Sequence, residues 1–317
     1  MRRIPSLIIC GLALHGAAKA QDQARIEAIA TAWSNWADAQ NIGDGAIAIT
    51  WQGEVVFSAG RGIDPETPVE LASLSKAITA ICLSDLVGQG VISYESTGAD
   101  ILGMAGQPGQ ISVAQFLTHT SGLAVDTTQL RMPFWFGDSA PRWTAVMNVL
   151  GDRALGTTEF AYNNENYAAL GSLIEAATGL PYAEACAPSV AAYPTAALSH
   201  KTGSYGPFGG WVMSVTDYAS FHASMFGGQP PSGPTSDAGG GALYGLGTFQ
   251  RPFDGSWNAW HFGLLCMPGR IEAGSFAVNL KGEWGIVVAF DRCKSWDVLG
   301  TLDAALVGAA LGDLAQE

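Results

Sequence analysis

The distribution of strand-like segments along the chain constrains its fold most strongly. These segments are short and apolar, and they lie at residues 46–51, 54–59, 261–267, 275–280 and 284–290. The first two flank Gln52-Gly53, which is typical of a hairpin turn. Residues 91–200, between the early and late strands, look mainly helical and loop-rich. We therefore predict an α+β fold, in which an antiparallel sheet formed from both termini is flanked by helices and carries an inserted, mainly helical subdomain.

Several helices are predicted around these strands. An amphipathic pattern covers residues 22–41, a capping-box sequence at Ser214 begins another helix, and residues 296–315 form a closing helix. By contrast, residues 227–242 are so rich in glycine and proline that we predict a mobile surface loop. A cleft is expected where the sheet meets the helical subdomain.

The N-terminus has the pattern of a secretory signal peptide. Two arginines precede an apolar run at residues 7–14, and the small-x-small sequence at residues 18–20 is typical of a cleavage site. An uncleaved anchor is the alternative, but a membrane span needs about 20 apolar residues and this run is much shorter. We predict a signal peptide at residues 1–20, a single domain at residues 21–317, and a periplasmic or secreted product without a stable membrane anchor.

The charge balance excludes some classes of partner. The chain has 15 basic and 28 acidic residues, which gives a net charge of −13. Loss of residues 1–20 would remove three basic residues and no acidic one, and would leave a net charge of −16. Such a surface repels phosphate backbones and anionic lipids. We therefore expect no nucleic-acid partner.

Four cysteines remain after that cleavage, and four thiols allow three pairings. In an oxidising compartment we favour Cys266 with Cys293, because both lie near the ends of predicted neighbouring strands. Cys82 falls on the apolar face of a predicted helix and is interpreted as a core residue, and Cys186 has no assigned partner. A chain without any disulfide remains an equal alternative, and no cysteine spacing indicates a metal site.

A Ser-x-x-Lys sequence carries the clearest chemical signal. Ser73 precedes Lys76 by one helical turn at the start of a predicted helix, so the hydroxyl and the amine share a face. A neutral hydroxyl attacks carbonyls poorly, and a nearby base activates it. Ser73 is therefore a candidate nucleophile, with Lys76 as its base or as a charge that stabilises a phenolate.

Two further triplets complete the pattern. Tyr162 and Asn164 form a Tyr-x-Asn triplet, and His261 and Gly263 form a His-x-Gly triplet that opens the first late strand. By composition alone, Tyr162 could be a core residue, Asn164 a turn former and His261 a packing residue. In a cleft, the glycine would allow close approach of a substrate backbone, and the imidazole could donate to a carbonyl or carboxylate.

The order and surroundings of these three motifs resemble the class C β-lactamase and penicillin-recognising serine hydrolase family. Three further sequences resemble signposts of that family in the expected order: LTHTSGL at 117–123, GGWVMS at 209–214 and YGLG at 244–247. The resemblance covers nearly the whole chain after residue 20. It implies the β-lactamase/transpeptidase-like fold and an acyl-enzyme mechanism that needs no metal or organic cofactor.

The resemblance also implies roles for the catalytic residues. Ser73 is the acylated nucleophile, Lys76 its proton acceptor or electrostatic partner, and Tyr162 the general base and later the acid. The backbone N–H groups of Ser73 and of Leu264, the residue after Gly263, would form the oxyanion hole.

Substrate-binding roles follow in the same way. Asn164 would hold a substrate amide, and His261 would line the cleft in place of the family's usual lysine. Lys201 is the rival, because residues 201–203 spell the lysine triplet of many family members, but it lies before and not after the GGWVMS sequence. The other histidines of the domain are interpreted as structural: His119, His200 and His222.

The resemblance implies an exported serine hydrolase for an amide or ester, with D-amino-acid peptides, small esters and β-lactams as candidate substrates. Phe262 replaces the hydroxyl residue that helps β-lactamases of this family hold a substrate carboxylate, His261 replaces lysine, and the chain is short for a class C enzyme. These departures weaken the interpretation as an antibiotic-destroying enzyme. A catalytically silent protein that binds cell-wall peptides or penicillin is the alternative, although the intact Ser73, Lys76 and Tyr162 argue against it.

Overall fold

The computed structural model describes residues 11–151, 153–228 and 232–312. The first half of the predicted signal peptide, residues 1–10, lies outside the described residues, as does the end of the predicted closing helix at residues 313–315.

Strands from both ends of the chain pair in one large sheet. The described strands are β1 (Gly45–Trp51), β2 (Glu54–Arg61), β3 (Val69–Glu70), β4 (Ala197–Leu198), β5 (Trp211–Met213), β6 (Ser236–Gly239), β7 (Ala242–Gly245), β8 (Thr248–Phe253), β9 (Ser256–Met267), β10 (Ile271–Leu280) and β11 (Trp284–Phe290). Within the described residues the large sheet has the order β2-β1-β11-β10-β9-β8-β7-β6, and neighbouring strands are antiparallel. The short strands β3, β5 and β4 form a second sheet.

Helices fill the region between the early and late strands. The described helices are α1 (Gly11–Ala39), α2 (Ser75–Gly88), α3 (Gly98–Leu102), α4 (Val113–Leu117), α5 (Thr128–Trp135), α6 (Met147–Leu150), α7 (Asn164–Thr178), α8 (Tyr182–Cys186), α9 (Val215–Phe226) and α10 (Trp296–Leu311). Short 3₁₀ helices lie at Ala72–Leu74, Gln107–Gln110, Arg142–Val146, Ala187–Val190 and Gly203–Phe208. None of the helices in the described ranges has the length and apolar composition that a membrane span requires.

These elements confirm the predicted α+β class and the sheet built from both termini. Strand β1 pairs with its hairpin partner β2 on one side and with β11 on the other. Gln52 and Gly53 have φ angles of +50° and +91°, which suit a two-residue hairpin turn with left-handed central positions. Strands β1 and β11 are buried almost throughout, which explains their continuous apolar sequences.

The described residues separate into two compact units. One contains residues 11–41 and 295–312, in which α1 packs on α10 and the Trp36 Nε1–H donates to Thr301 Oγ1 over 3.1 Å. The other contains residues 42–294, with both sheets and the helices from α2 to α9; in it, α9 packs against β1 and β11. A single domain over residues 21–317 stays a prediction.

Helix α2 lies deep in the larger unit. Residues 75–83 are all buried, as expected of a helix surrounded by protein. A disulfide joins Cys82 of α2 to Cys186 at the end of α8, and a second joins Cys266 of β9 to Cys293 after β11. The second is the predicted pairing. The interpretation of Cys82 as an unpaired core residue is wrong, because α8 packs against α2 and brings Cys186 to it.

The predicted loop at residues 227–242 contains strands. Strand β6 occupies Ser236–Gly239, and β7 begins at Ala242. Among the described strands, β6 is an edge strand that pairs with β7 alone, a position where short strands with few apolar residues are common. Backbone pairing with β7 therefore produces a strand that the composition of the segment does not indicate.

Candidate active site

The candidate nucleophile lies on a tight turn that leads into α2. Ser73 is the central residue of the 3₁₀ helix Ala72–Leu74 and is partly exposed between buried neighbours. Ala72 has a φ of +48°, a left-handed conformation that costs a residue other than glycine about 1 kcal/mol or more. The preceding carbonyl, that of Leu71, accepts a hydrogen bond from Ser275 Oγ over 2.7 Å. The surrounding structure thus holds the turn in a conformation that presents Ser73.

Lys76 is fully buried near the start of α2. Its Nζ lies 3.1 Å from Ser73 Oγ, 2.7 Å from Asn164 Oδ1 and 2.9 Å from the carbonyl oxygen of Phe208. Burial lowers the pKa of Lys76 from 10.5 to about 7, and the Asp126 carboxylate opposes this shift. A substantial fraction of Lys76 is therefore neutral at neutral pH.

The three contacts of the amine determine the direction of its lone pair. A neutral amine has two N–H groups and one lone pair, and the oxygens of Asn164 and Phe208 can only accept. When these two oxygens take the N–H groups, the lone pair faces Ser73 Oγ, whose hydroxyl can donate to it. The protonated amine donates to Ser73 Oγ instead. Gain or loss of one proton by Lys76 therefore reverses the hydrogen bond to the candidate nucleophile.

Tyr162 approaches Ser73 from the loop that precedes α7. The centre of its ring lies 4.9 Å from Lys76 Nζ, and its hydroxyl lies close enough to Ser73 for that side chain to influence its pKa. Although 40% of the residue is exposed, protein surrounds the hydroxyl. This burial raises the pKa of Tyr162 above 10, the Asp126 charge adds to the shift, and the Ser73 side chain opposes it. The phenol is therefore neutral at pH 7, where it can donate a proton but not accept one as phenolate.

His261 lies beside Tyr162 on β9. Its Nδ1 is 2.6 Å from the Phe262 carbonyl oxygen, which can only accept, so Nδ1 carries the proton. Its Nε2 is then an acceptor and lies 3.4 Å from the Tyr162 hydroxyl. Burial, reinforced by the Lys76 charge, lowers the pKa of His261 to about 3, so the imidazole is neutral.

Gly263 allows β9 to approach the turn that carries Ser73. A Cβ at position 263 would lie 2.4 Å from both the Leu71 carbonyl oxygen and Ser275 Oγ, so a larger residue would force the two segments apart. The ladder between β8 and β9 ends at Trp260, and in the described strands the rest of β9 pairs with β10 only. The strand segment with Leu264 therefore lies against the Ser73 turn and has one free edge.

The start of α7 fixes Asn164. The residue is 6% exposed, its N–H donates to Asp126 Oδ2 over 3.1 Å, and its Oδ1 accepts from Lys76. The Nδ2 group remains the donor end of the same amide. The structure thus brings together all the predicted catalytic and substrate-binding positions: Ser73, Lys76, Tyr162, Asn164 and His261, with Gly263 and Leu264 on the adjoining strand.

The remaining cationic and imidazole candidates lie elsewhere. Lys201 is exposed, and its backbone N–H donates to Ser199 Oγ, so His261 and not Lys201 lies beside Tyr162. His200 is exposed as well. His222 is buried on α9, and its ring nitrogens have no hydrogen-bond partner among the described residues.

Sequence reasoning missed two neighbours of Lys76. The Phe208 carbonyl directly precedes the GGWVMS sequence, and a Cβ at Gly210 would lie 2.4 Å from the Gly206 nitrogen, so a tight glycine turn presents that carbonyl. The glycine pair was the available signal. Asp126 belongs to no motif, and nothing in the sequence indicates that it lies beside Asn164.

Chemically, the arrangement is a row of proton donors and acceptors. Lys76 and His261 offer lone pairs at its two ends, and the hydroxyls of Ser73 and Tyr162 lie between them. Such a row can remove a proton from a serine hydroxyl and deliver one to a leaving group. In the described part of the chain, no group of three or more His, Cys, Asp or Glu side chains lies close enough to hold a metal ion.

Comparisons with known proteins agree with this fold. The family model described as Beta-lactamase matches residues 24–309. Similar solved structures include the octameric penicillin-binding protein homologue from Pyrococcus abyssi, with a TM-score of 0.70, 17% identity and coverage of 92% of this chain and 78% of that chain. The class C beta lactamase from Rhodobacter sphaeroides has a TM-score of 0.70, 14% identity and coverages of 90% and 99%.

The D-amino acid amidase from Ochrobactrum anthropi SV3, complexed with L-phenylalanine amide, has a TM-score of 0.70, 16% identity and coverages of 90% and 98%. At these identities the likeness shows the fold alone. No curated protein sequence gives a significant match. Because the family model covers most of the chain, this protein belongs to the beta-lactamase family of serine hydrolases.

Proposed function

We propose that this protein is an exported hydrolase that forms an acyl-enzyme on Ser73 and cleaves an ester or an amide. The observation that carries the proposal is the distance of 3.1 Å between Ser73 Oγ and the buried Lys76 Nζ. Burial of an amine is costly, and an apolar side chain would fill the same space without that cost. A base with a pKa of about 7 beside a partly exposed serine is the arrangement that nucleophilic catalysis needs.

In the proposed acylation, the Ser73 hydroxyl gives its proton to neutral Lys76 as Oγ bonds to the substrate carbonyl carbon. The N–H groups of Ser73 and Leu264 would stabilise the oxyanion, and loss of one such donor typically costs about 10²–10³-fold in turnover. The bond to the leaving group then breaks, and the Tyr162 hydroxyl protonates the leaving oxygen or nitrogen. The Tyr162 phenolate takes the proton held by Lys76, which restores both groups.

Deacylation would use the same groups with water as the nucleophile. Water gives a proton to Tyr162 as Tyr162 passes its own to Lys76, and the water oxygen bonds to the acyl carbon. The bond from that carbon to Ser73 Oγ then breaks, and Lys76 returns the proton to Oγ. Because the raised pKa of Tyr162 keeps it a phenol, Lys76 is the first base and Tyr162 the relay.

The charges of the site support a substrate without a carboxylate. His261 is neutral, and the N–H groups of Lys76 are bonded within the site. Phe262 has no hydroxyl and stacks on Phe276 with ring centres 4.2 Å apart. A substrate carboxylate would meet no permanent cation among these groups, because Lys76 must be neutral to act as the base, and Asp126 would repel the carboxylate. We propose neutral esters and amides as preferred substrates, ahead of β-lactams.

Export is part of the proposal. It is supported by the signal-peptide pattern of residues 1–20 and by the two disulfides, which persist in oxidising compartments. A periplasmic or secreted location follows from both.

The experiment compares Ser73→Ala with Ser34→Ala, a matched change at an exposed serine of α1. Turnover of p-nitrophenyl acetate and covalent labelling by a fluorophosphonate should fall to background in Ser73→Ala and stay at the parent level in Ser34→Ala. Intact-mass spectrometry should place the label on the parent and the control only. Equal labelling of the parent and Ser73→Ala would show that another residue is the nucleophile.

The same experiment separates the proposal from a catalytically silent binding protein. A hydrolase releases product in amounts far above one equivalent, and nitrocefin and a D-Ala-D-Ala peptide in the panel report on the other candidate substrates. Binding or a single labelling event on Ser73, without release of product from any substrate, would favour the binding protein.

A further inference from the structure

Tyr162 lies in a segment without regular structure. Residues 161–163 connect a loop to the first residue of α7 and belong to no helix or strand. Neither a helical hydrogen-bond ladder nor a sheet therefore holds the Tyr162 hydroxyl near Ser73. Some other contact must position it, because proton transfer requires heavy-atom distances of roughly 2.6–3.2 Å.

His119 contacts this segment on both sides of Tyr162. The Ala161 N–H donates to the His119 carbonyl oxygen over 2.9 Å, and the Asn163 N–H donates to His119 Nδ1 over 3.3 Å. Between these bonds, the rings of His119 and Tyr162 pack with centres 4.6 Å apart and planes at 38°. One residue thus holds the backbone before Tyr162, the backbone after it and the ring itself.

The orientation of His119 is itself tightly determined. Its Nδ1 also accepts from Asn166 Nδ2 over 2.9 Å, so both N–H donors meet the same lone pair and the proton is on Nε2. His119 has a φ of +57°, a costly conformation for this residue type. Strain of this kind persists where the surrounding contacts over-determine it.

The neutral state of His119 also suits the site. Burial, the Lys76 charge and His261 keep the pKa of His119 well below 6.5. An imidazolium here would lose the lone pair that accepts from Asn163 and would repel protonated Lys76. His119 therefore contributes an acceptor and a flat surface without adding a charge.

We propose that His119 is a positioning residue for Tyr162, which it holds in proton-transfer range of Ser73 through two backbone hydrogen bonds and one ring contact. This inference rests on the proposed function, because it assigns to His119 an effect on catalysis that passes through Tyr162. It also replaces the interpretation of His119 as merely structural.

A double-mutant cycle tests the inference. His119→Phe keeps a buried ring but removes the Nδ1 acceptor, and His119→Asn keeps an acceptor on a side chain that tolerates positive φ but removes the ring. With p-nitrophenyl acetate, Tyr162→Phe should lower kcat by about 10²-fold. His119→Phe should lower kcat by about tenfold or more with KM within about threefold, and His119→Asn by less.

The decisive result is the effect of each His119 change in the Tyr162→Phe background. If His119 acts through Tyr162, changing His119 should have little further effect on kcat once the Tyr162 hydroxyl is absent. The kcat of each double variant should therefore match that of Tyr162→Phe within about twofold. Full additivity of the two losses would overturn the inference, as would a parent-like kcat in both His119 variants.

Folding and the proposed function are checked separately. His222→Phe is the matched control, because His222 is as buried as His119 but lies on α9 without a described hydrogen-bond partner; its kcat should equal the parent's. Thermal unfolding identifies a variant that has lost its fold, and the cycle with His119→Asn decides the case if His119→Phe does not fold. A parent-like Tyr162→Phe would overturn the role of Tyr162 and this inference together, while Ser73-dependent turnover would leave the nucleophile assignment intact.

Discussion

Lys76 has two protonation states with opposite consequences for its neighbour. The neutral amine accepts the Ser73 proton, and the ammonium donates to Ser73 Oγ and blocks that transfer. Because burial lowers the pKa of Lys76 to about 7, the catalytic form predominates above pH 7 and is lost as the pH falls below it. We expect kcat/KM for p-nitrophenyl acetate to fall about tenfold per pH unit below about pH 6.5 and to level off above about pH 7.5.

Lys76→Arg should remove this profile, because a guanidinium stays charged throughout the range. Its kcat/KM should be lower by about 10²–10⁴-fold, the usual value of a general base. Lys201→Arg makes the same change at an exposed lysine and should keep the parent's profile. A parent profile that is flat from pH 5.5 to pH 9 would contradict the assignment of Lys76 as the base.

At the scale of elements, α2 carries both the proposed base and a covalent link. The Cys82–Cys186 disulfide ties α2 to the end of α8 and closes a loop with a sequence separation of 104, whereas Cys266 and Cys293 are separated by 27. In the chain-entropy account, these loops contribute about 4.7 and about 3.6 kcal/mol to the free energy of unfolding. Replacing Cys82 and Cys186 by alanine should therefore destabilise the protein by about 1 kcal/mol more than replacing Cys266 and Cys293.

Urea unfolding under non-reducing conditions measures both double variants against the parent. Each pair removes two cysteines and adds two alanines, but Cys82 and Cys186 are buried whereas Cys266 is exposed, so lost packing at the first pair adds to the same expected difference. Equal destabilisation, or a larger loss from the Cys266–Cys293 pair, would show that native-state contacts outweigh loop length here.

The elements predicted best are those with local signals. The hairpin of β1 and β2, the start of helix α9 after Ser214 and strand β11 agree with the predicted segments, because turn residues, caps and apolar runs act over a few positions. Strands β6, β7 and β8 were not predicted. Their segments alternate with glycine-containing turns and include many polar residues, and they become strands through pairing in successive hairpins that extend the sheet from β9.

The same distinction applies to the site. The sequence motifs indicated Ser73, Lys76, Tyr162 and His261, because the order of Ser-x-x-Lys, Tyr-x-Asn and His-x-Gly resembles the family pattern. The Phe208 carbonyl was not predicted, because the glycine pair that follows it indicates a tight turn but not which backbone oxygen faces Lys76. The proposed positioning of Tyr162 by His119 could not be predicted either. It depends on backbone hydrogen bonds that only the folded loop reveals.

At the scale of the whole molecule, the sheet joins early and late strands of the chain. Strand β1 pairs with β11, and most of the residues between β2 and the late strands form the helices and loops that carry Ser73, Lys76 and Tyr162. Residues far apart in sequence therefore depend on a single sheet for their mutual positions. The excess of acidic residues acts at this scale as well, because its field extends beyond any single contact.

A net charge of −13 should concentrate cations near the protein and repel anions, and salt should weaken both effects because the Debye length falls from about 30 Å at 0.01 M to about 3 Å at 1 M. Three phenyl acetates that differ in charge test this expectation. p-Nitrophenyl acetate is neutral, 3-(trimethylammonio)phenyl acetate is a cation, and 4-acetoxybenzenesulfonate is an anion. Between 10 mM and 500 mM NaCl, kcat/KM should fall several-fold for the cation, rise for the anion, and change by less than about twofold for the neutral ester. The neutral ester is the control for salt effects on the enzyme itself, so an equal response of all three substrates would show that the net charge does not steer substrate to Ser73.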